Sequence, residues 1–441
     1  MGAWRRFLRR RRGRGEDVAA AERDLGHEID ALTGMGLSAG EAFLVAIRRL
    51  ARRDPETRRF AASRGFLKGA MGFGTPAPAE SRAARIEALA AFGLALGAAL
   101  TVKAPELFGW RIAVETDFYL RNLGLFVLPW VAVYLGWRRG IDRRTALVAG
   151  AGFLLAGIFA NAYPFVPGGS TGGLTTAHAP IVLWAAVGFV LVGGRWKSHR
   201  ERMRLVRFSG ELFIHFVLVW LGGMVLAGLS FFLFGAIGVE AREWFIEQWL
   251  VPSGAAGAIV LAVFLVHGRR AMSTELAPML ARVFTPLFAA ALLAFLATMA
   301  WIAQGMAADR EVLIGLDVLL VLIVGLVLYS VAARDSGARP GAWDVISLVL
   351  VLAALAVDLV ALAAMVGRVS EFGLTPNRSA ALGENLILLV NLAGSAWLLL
   401  AFLRGNGSFP ALARWQTGFL PVYAAWAAFV VVAFPPLFGF V

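Results

Sequence analysis

Three polar residues stand inside long apolar runs in the last third of the chain: Asp317, Asp358 and Asn391. A carboxylate at the centre of a bilayer costs roughly 2.5–3.5 kcal/mol on insertion scales, so it needs a partner or a task. At about 1.5 Å per helical residue, Asp358 and Asn391 fall at similar depth, with Asp317 a few ångströms nearer one end. The chemistry open to such a set is proton, ion or small-solute binding. The bland alternative is structural: Asp358 bonds to Asn391 or to a Ser or Thr and fixes the packing of two helices.

The stretch between the runs of Asp358 and Asn391 is polar: Arg368-Val-Ser-Glu-Phe-Gly-Leu-Thr-Pro-Asn-Arg378, followed by Leu382-Gly-Glu-Asn385. It adds Arg368, Glu371, Asn377, Arg378, Glu384 and Asn385 to the groups that could line a cavity above the buried acids. We expect a loop over Arg368–Arg378, with Glu371 paired to Arg368 or Arg378. Gly373 permits positive φ, and Thr375-Pro376-Asn377 can open a helix with Pro in its first turn.

The elements that must position these residues are membrane helices. Of 441 residues, 59% are hydrophobic and 16% charged, against about one quarter charged in soluble domains. Eleven apolar runs are predicted at 84–102, 122–136, 145–163, 177–194, 211–238, 249–266, 283–304, 312–332, 343–367, 383–403 and 417–435. Pro252 and Gly254 interrupt the start of the sixth. The fold class is therefore an all-α polytopic bundle with about eleven spans.

With the N-terminus inside, seventeen Lys and Arg residues, from Arg138 to Arg414, fall in inner loops and seven in outer ones. The positive-inside rule then puts the N-terminus in the cytoplasm and the C-terminus in the periplasm. Trp137, Trp196, Trp343 and Trp415 are expected at the inner boundary and Trp301 at the outer one. Gly152/Ala156 and Gly223/Ala227 are small-residue spacings that suit close helix approach.

Ahead of the spans, Met1–Arg14 is a basic arm suited to acidic lipid headgroups. Residues 17–63 read as a cytoplasmic helical hairpin, with Leu25, Ile29 and Leu32 on its first helix and Phe43, Ile47 and Leu50 on its second. Ser38-Ala-Gly-Glu41 is a capping box between them. Residues 64–83, with Gly72, Gly74, Pro76 and Pro78, read as a linker.

Two resemblances follow. Asp24-Leu-Gly-His-Glu-Ile-Asp30, Gly36-Leu-Ser-Ala-Gly-Glu-Ala42 and Ala46-Ile-Arg-Arg-Leu50 resemble the bacterial permease prefix domain, which implies a cytoplasmic adaptor or regulatory segment on a permease. The Arg368–Arg378 and Leu382–Asn385 stretches, with Asn391-Leu392 after them, resemble the bacterial membrane family called domain of unknown function 4153. His178-Ala-Pro180 leading to Trp184 and Gly210-Glu-Leu-Phe213 fit it less specifically. Phe372 stands where Tyr is expected. The resemblance implies a polytopic inner-membrane protein across residues 84–435 and no particular activity.

The other motifs point to little chemistry. The chain has no cysteine, which excludes disulfides and thiolate metal sites. His27, His178, His199, His215 and His267 show no metal spacing, so no metal and no cofactor are expected. Glu211 and His215 read as an interfacial pair one turn apart. Gly168-Gly-Ser-Thr-Gly-Gly173 lacks the Lys of a phosphate loop and reads as a flexible outer loop. The positive charge follows topology and lipid rather than a nucleic-acid groove. The expected activity is transport of a small solute or ion. One alternative is a sensor signalling to a cytoplasmic protein partner through the N-terminal helices. Another is an envelope-facing enzyme using Glu371, Arg368 and Arg378.

Overall fold

A computed structural model of the protein describes residues 16–34, scattered positions between 42 and 57, and residues 78–236, 246–268, 276–302, 310–335 and 337–441. No strand occurs among them. Two units separate, Met1–Ile86 and Glu87–Val441.

In the first unit, α1 (Glu16–Gly34) buries Leu25 and Leu32. The helical positions from 42 to 50 bury Ala42, Ala46 and Ile47, and Arg49 reaches Glu28 at 2.6 Å. The basic arm, the Ser38–Glu41 capping box and residues 64–77 of the expected linker lie outside the described residues. The linker ends earlier than expected, because Pro78 already opens a helix. Pro is tolerated there because a first-turn N–H has no helical partner.

The second unit is a bundle of eleven helices among the described residues. They are α2 (Pro78–Lys103), α3 (Thr116–Arg139), α4 (Arg143–Ala162), α5 (Ser170–Leu191), α6 (His199–Ala236) and α7 (Val251–Gly268), then α8 (Leu276–Ile302), α9 (Arg310–Ala333), α10 (Ala342–Phe372), α11 (Pro376–Leu403) and α12 (Phe409–Leu437). Ten are long and apolar enough to cross a membrane. The protein is thus a multi-pass membrane protein. The sixth run is the short one: α7 starts at Val251, with Pro252 in its first turn, after a single π turn at Ile246–Leu250.

Every predicted run is a helix, but several extend past the apolar residues that revealed them. Helix α6 begins at His199 rather than 211, so Arg200, Arg202, Arg204 and Arg207 are helical and not loop residues. Helix α5 begins at Ser170, so the last four residues of the expected Gly-rich loop are its first turn. That turn is tied down: the Thr171 N–H donates to the Val441 carbonyl at 2.8 Å and the Val166 N–H to that of Phe440 at 3.0 Å. Between α3 and α4, Gly140 turns at φ +62° and Asp142 caps α4 by accepting from the Thr145 N–H at 3.1 Å. Hydrogen bonds from Thr145 hold the Asp142 carboxyl below the usual carboxylate range.

The loops alternate between two ends. At the basic end Arg207 donates to the Ala332 carbonyl at 2.7 Å, and Arg139 lies 3.7 Å from Glu201. At the far end Asn377 donates to the Ser170 hydroxyl at 3.0 Å, beside the docked Phe440–Val441. Two apolar cores fill the bundle. One joins α2 to α7; the other joins α8 to α12.

Arg334 closes the second core at the basic end. Its guanidinium grips both Asp344 oxygens, at 2.7 and 3.0 Å, and donates to the carbonyls of Asp335, Ala338 and Arg339. It also lies 4.9 and 4.3 Å from the ring centres of Phe402 and Phe409. One side chain therefore holds the ends of α9, α10, α11 and α12 together.

Of the two small-residue spacings expected to suit close helix approach, one makes such a contact. Gly152 meets the Ala186 side chain, but a Cβ at Gly223 would meet nothing within 4 Å. Four tight glycines are covered by aromatic rings, Trp130 on Gly97, Tyr329 on Gly210, Trp426 on Gly383 and Trp415 on Gly394, and two by leucines, Leu183 on Gly124 and Leu205 on Gly188. Trp415 is consequently not a boundary anchor. Its indole donates to the Asn391 carbonyl at 3.1 Å, inside the bundle. Trp137, Trp301 and Trp343 are exposed. Gly394→Ala should place its methyl well inside contact with a hydrogen-bonded indole and cost about 1–3 kcal/mol, read as a lower midpoint of thermal unfolding in detergent. Gly223→Ala should be neutral.

Candidate functional site

The buried polar residues sort into two groups on α9, α10, α11 and α12. The first is acidic. Asp358, near the middle of α10, is fully buried, and neither carboxylate oxygen has a hydrogen-bond partner. Its acidic neighbour is Asp317 on α9, which is also the acidic neighbour of Glu384 on α11. Asp317 accepts a hydrogen bond from the Asn385 side-chain amide at 3.0 Å, while the fully buried Asn385 carbonyl oxygen has no partner. None of the three acids forms an ion pair among the described residues.

The second group faces the other way. Asn391 and Ser395 of α11 meet Gln416 of α12: the Gln416 amide donates to the Ser395 hydroxyl at 2.6 Å and to the Asn391 side-chain oxygen at 3.4 Å. The Ser395 hydroxyl donates to the Asn391 backbone carbonyl at 2.6 Å. All three residues are buried, and this network holds α11 against α12. The Asn391 amide nitrogen and the Gln416 side-chain oxygen remain unpartnered.

The hydrogen bond from Asp358 to Asn391, or to a Ser or Thr, that the structural alternative required is therefore absent. Asn385 and Asn391 are six residues apart, so at 3.6 residues per turn they project about 120° apart around α11. Asn385 points to α9, where it meets Asp317, and Asn391 points to α12. Equal depth along neighbouring helices did not pair Asp358 with Asn391.

The polar stretch after Asp358 is also arranged differently. Helix α10 runs through Phe372, so Arg368 and Glu371 lie in its last turns and the loop is only Gly373, Leu374 and Thr375. Gly373 has φ +73°, and Thr375 caps α11 with Pro376 in the first turn, as the sequence predicts. Arg378 does not seek Glu371. It donates to the carbonyls of Phe372 and Gly373, at 3.0 and 2.8 Å, and lies over the Phe372 ring. Asn377 bridges to α5. Arg368, Glu371, Asn377 and Arg378 thus belong to the helix ends rather than to the acidic group.

Glu384 and Gln416 were undervalued for one reason. Helix α11 starts seven residues, and α12 eight residues, before the apolar runs that mark them. Glu384 then sits about 12 Å into the bundle. The signals were present: Thr375-Pro376 and Ser408-Phe409-Pro410 are cap-and-proline starts.

His215 is satisfied within its own helix, its Nδ1–H donating to the Glu211 backbone carbonyl at 2.7 Å. Among the described residues no group of His, Asp and Glu is arranged to hold a metal ion. No family model, curated protein or solved structure matches the chain.

Proposed function

We propose that the protein moves a small solute or ion across a bacterial inner membrane, with proton exchange at Asp358, Asp317 and Glu384. The observation that carries this reading is the Asp358 carboxylate, buried in the bundle with both oxygens unpartnered. An acid that only fixed helix packing would have a donor across the interface, as Asp317 has in Asn385. Three acids on successive helices, without a basic partner among the described residues, match what a proton-coupled pathway needs. The basic loops favour a cytoplasmic N-terminus and a periplasmic C-terminus. The likeness to domain of unknown function 4153, and of the N-terminal helices to the permease prefix domain, supports a permease with a cytoplasmic regulatory segment.

The chain has no cysteine, so single cysteines can test the reading directly. Asp317→Cys and Asp358→Cys should react with a small membrane-impermeant thiol reagent added from the periplasmic side, and the reaction should slow when substrate is present. Leu352→Cys, exposed on the apolar surface of α10, should stay unreactive in the membrane. Labelling confined to helix-end positions such as Ser370→Cys would remove the water-filled path and put the sensor reading ahead.

A further inference from the structure

A lateral cavity of about 270 Å³ lies between α5 and α9. These helices belong to different cores and pack on α11 and α12 rather than on each other, so a gap is left between them. Its rim includes Ile181 and Val321, 45% and 47% exposed on the apolar surface of the bundle, so it opens toward lipid and not along the bundle axis. Its lining includes Glu384 from α11, Tyr423 and Trp426 from α12, and His178 from α5. Neither Lys nor Arg contributes to it.

The polar groups of this lining are underused. Glu384 has neither a hydrogen bond nor an ion pair among the described residues. The Tyr423 hydroxyl and the Trp426 N–H are buried and unpartnered. His178 commits Nδ1 to the Leu174 carbonyl at 2.9 Å. An acid, two aromatic rings and an apolar wall share one space.

We propose that this cavity binds a small amphipathic cation, an amine or quaternary ammonium drawn from the bilayer, with its charged head at Glu384 and its apolar body along Val324, Leu328 and Ile387. Charge complementarity selects the occupant. A carboxylate without a protein partner in low dielectric attracts a cation strongly, and the faces of Tyr423 and Trp426 add cation–π attraction. A strongly hydrated metal cation would lose its water against an apolar wall, whereas a quaternary ammonium has little hydration to lose. The inference names the substrate class for the transport reading and rests on that reading only for the ligand's onward movement.

The test is equilibrium binding of radiolabelled benzyltrimethylammonium to the full chain in phosphatidylcholine nanodiscs. Wild type should bind it saturably. Glu384→Gln, the isosteric neutral form, should weaken binding about tenfold or more. Val324→Trp, which fills the cavity from the opposite wall and leaves Glu384 in place, should do the same. Both variants are checked for wild-type thermal unfolding. Neopentylbenzene, the carbon isostere without charge, should compete poorly. Absence of saturable binding, unchanged affinity in Glu384→Gln, or equal competition by neopentylbenzene would each overturn the proposal, the last by marking a crevice for lipid chains. Proteoliposome uptake separates the two readings. Binding at Glu384 without proton-linked uptake keeps the site and ends the transport reading. Uptake that is insensitive to Glu384→Gln does the reverse.

Discussion

Asp358→Val should make the protein more stable by about 2–3 kcal/mol and abolish proton-linked flux. Both effects come from the same two oxygens. They are fully buried and receive no hydrogen bond, so the native state bears their desolvation without compensation. Valine is close in volume and has nothing to desolvate. It sits among Leu350, Val351, Ala354, Val357 and Ala361, which are buried on the same helix. Asp358→Asn separates the two effects. The amide keeps two polar groups in the same apolar surroundings, so little stability is gained, but proton exchange is lost. Thermal unfolding in detergent reads the first quantity and flux in proteoliposomes the second. A destabilised Asp358→Val would mean that the carboxylate has a stabilising partner, and would remove the argument for a functional acid.

Arg334→Ala should be the most damaging single change away from the acids, costing about 3–5 kcal/mol. The loss is larger than one ion pair because Asp344 is only 5% exposed and would be left charged and unpaired. Three loop carbonyls and two phenylalanine rings lose their contact with the guanidinium at the same time. Arg334→Lys should recover little, because an ammonium cannot grip both carboxylate oxygens and fill the slot between the rings. The double change Arg334→Met with Asp344→Leu should recover most of the stability, since no charge then remains to be desolvated. If the double variant melts as low as Arg334→Ala, the cost lies in the loop carbonyls and not in the orphaned Asp344.

The sequence carried the architecture well and the site only in part, and both outcomes have physical causes. Apolar runs mark the hydrocarbon-spanning part of each helix, so all eleven were legible. The runs do not mark polar helical ends, so His199–Gly210 and Ser170–Thr176 were assigned to loops, and the eleventh helix was counted from residue 383 although Thr375-Pro376 offered its start. That error pushed Glu384 toward the surface and hid Gln416. Depth could be read from residue counts, which is why Asp358 and Asn391 fell level. The direction around each helix axis could not, because both faces of these helices are apolar and leave a weak period. The pairing of Asp317 with Asn385, and of Asn391 with Gln416, is a matter of direction. The contrast with Arg334 is informative: its value lies in groups that meet only when four helix ends converge.

The two indoles that α12 lays against α11 bear on how such a bundle could move. Trp415 rests on Gly394 and Trp426 on Gly383. The glycines are eleven residues apart and so are the indoles, about three helical turns on each antiparallel partner. Two bolts at matched spacing fix the longitudinal register. A ratchet of one turn, about 5.4 Å, would drive both rings off their glycines and onto positions that carry side chains, Ser379 or Ile387 and Val390 or Leu398. Helices α11 and α12 must therefore travel as a single rigid piece. A change of access to Asp317 and Asp358 would come from rocking α9 and α10 against that piece, and not from sliding within it.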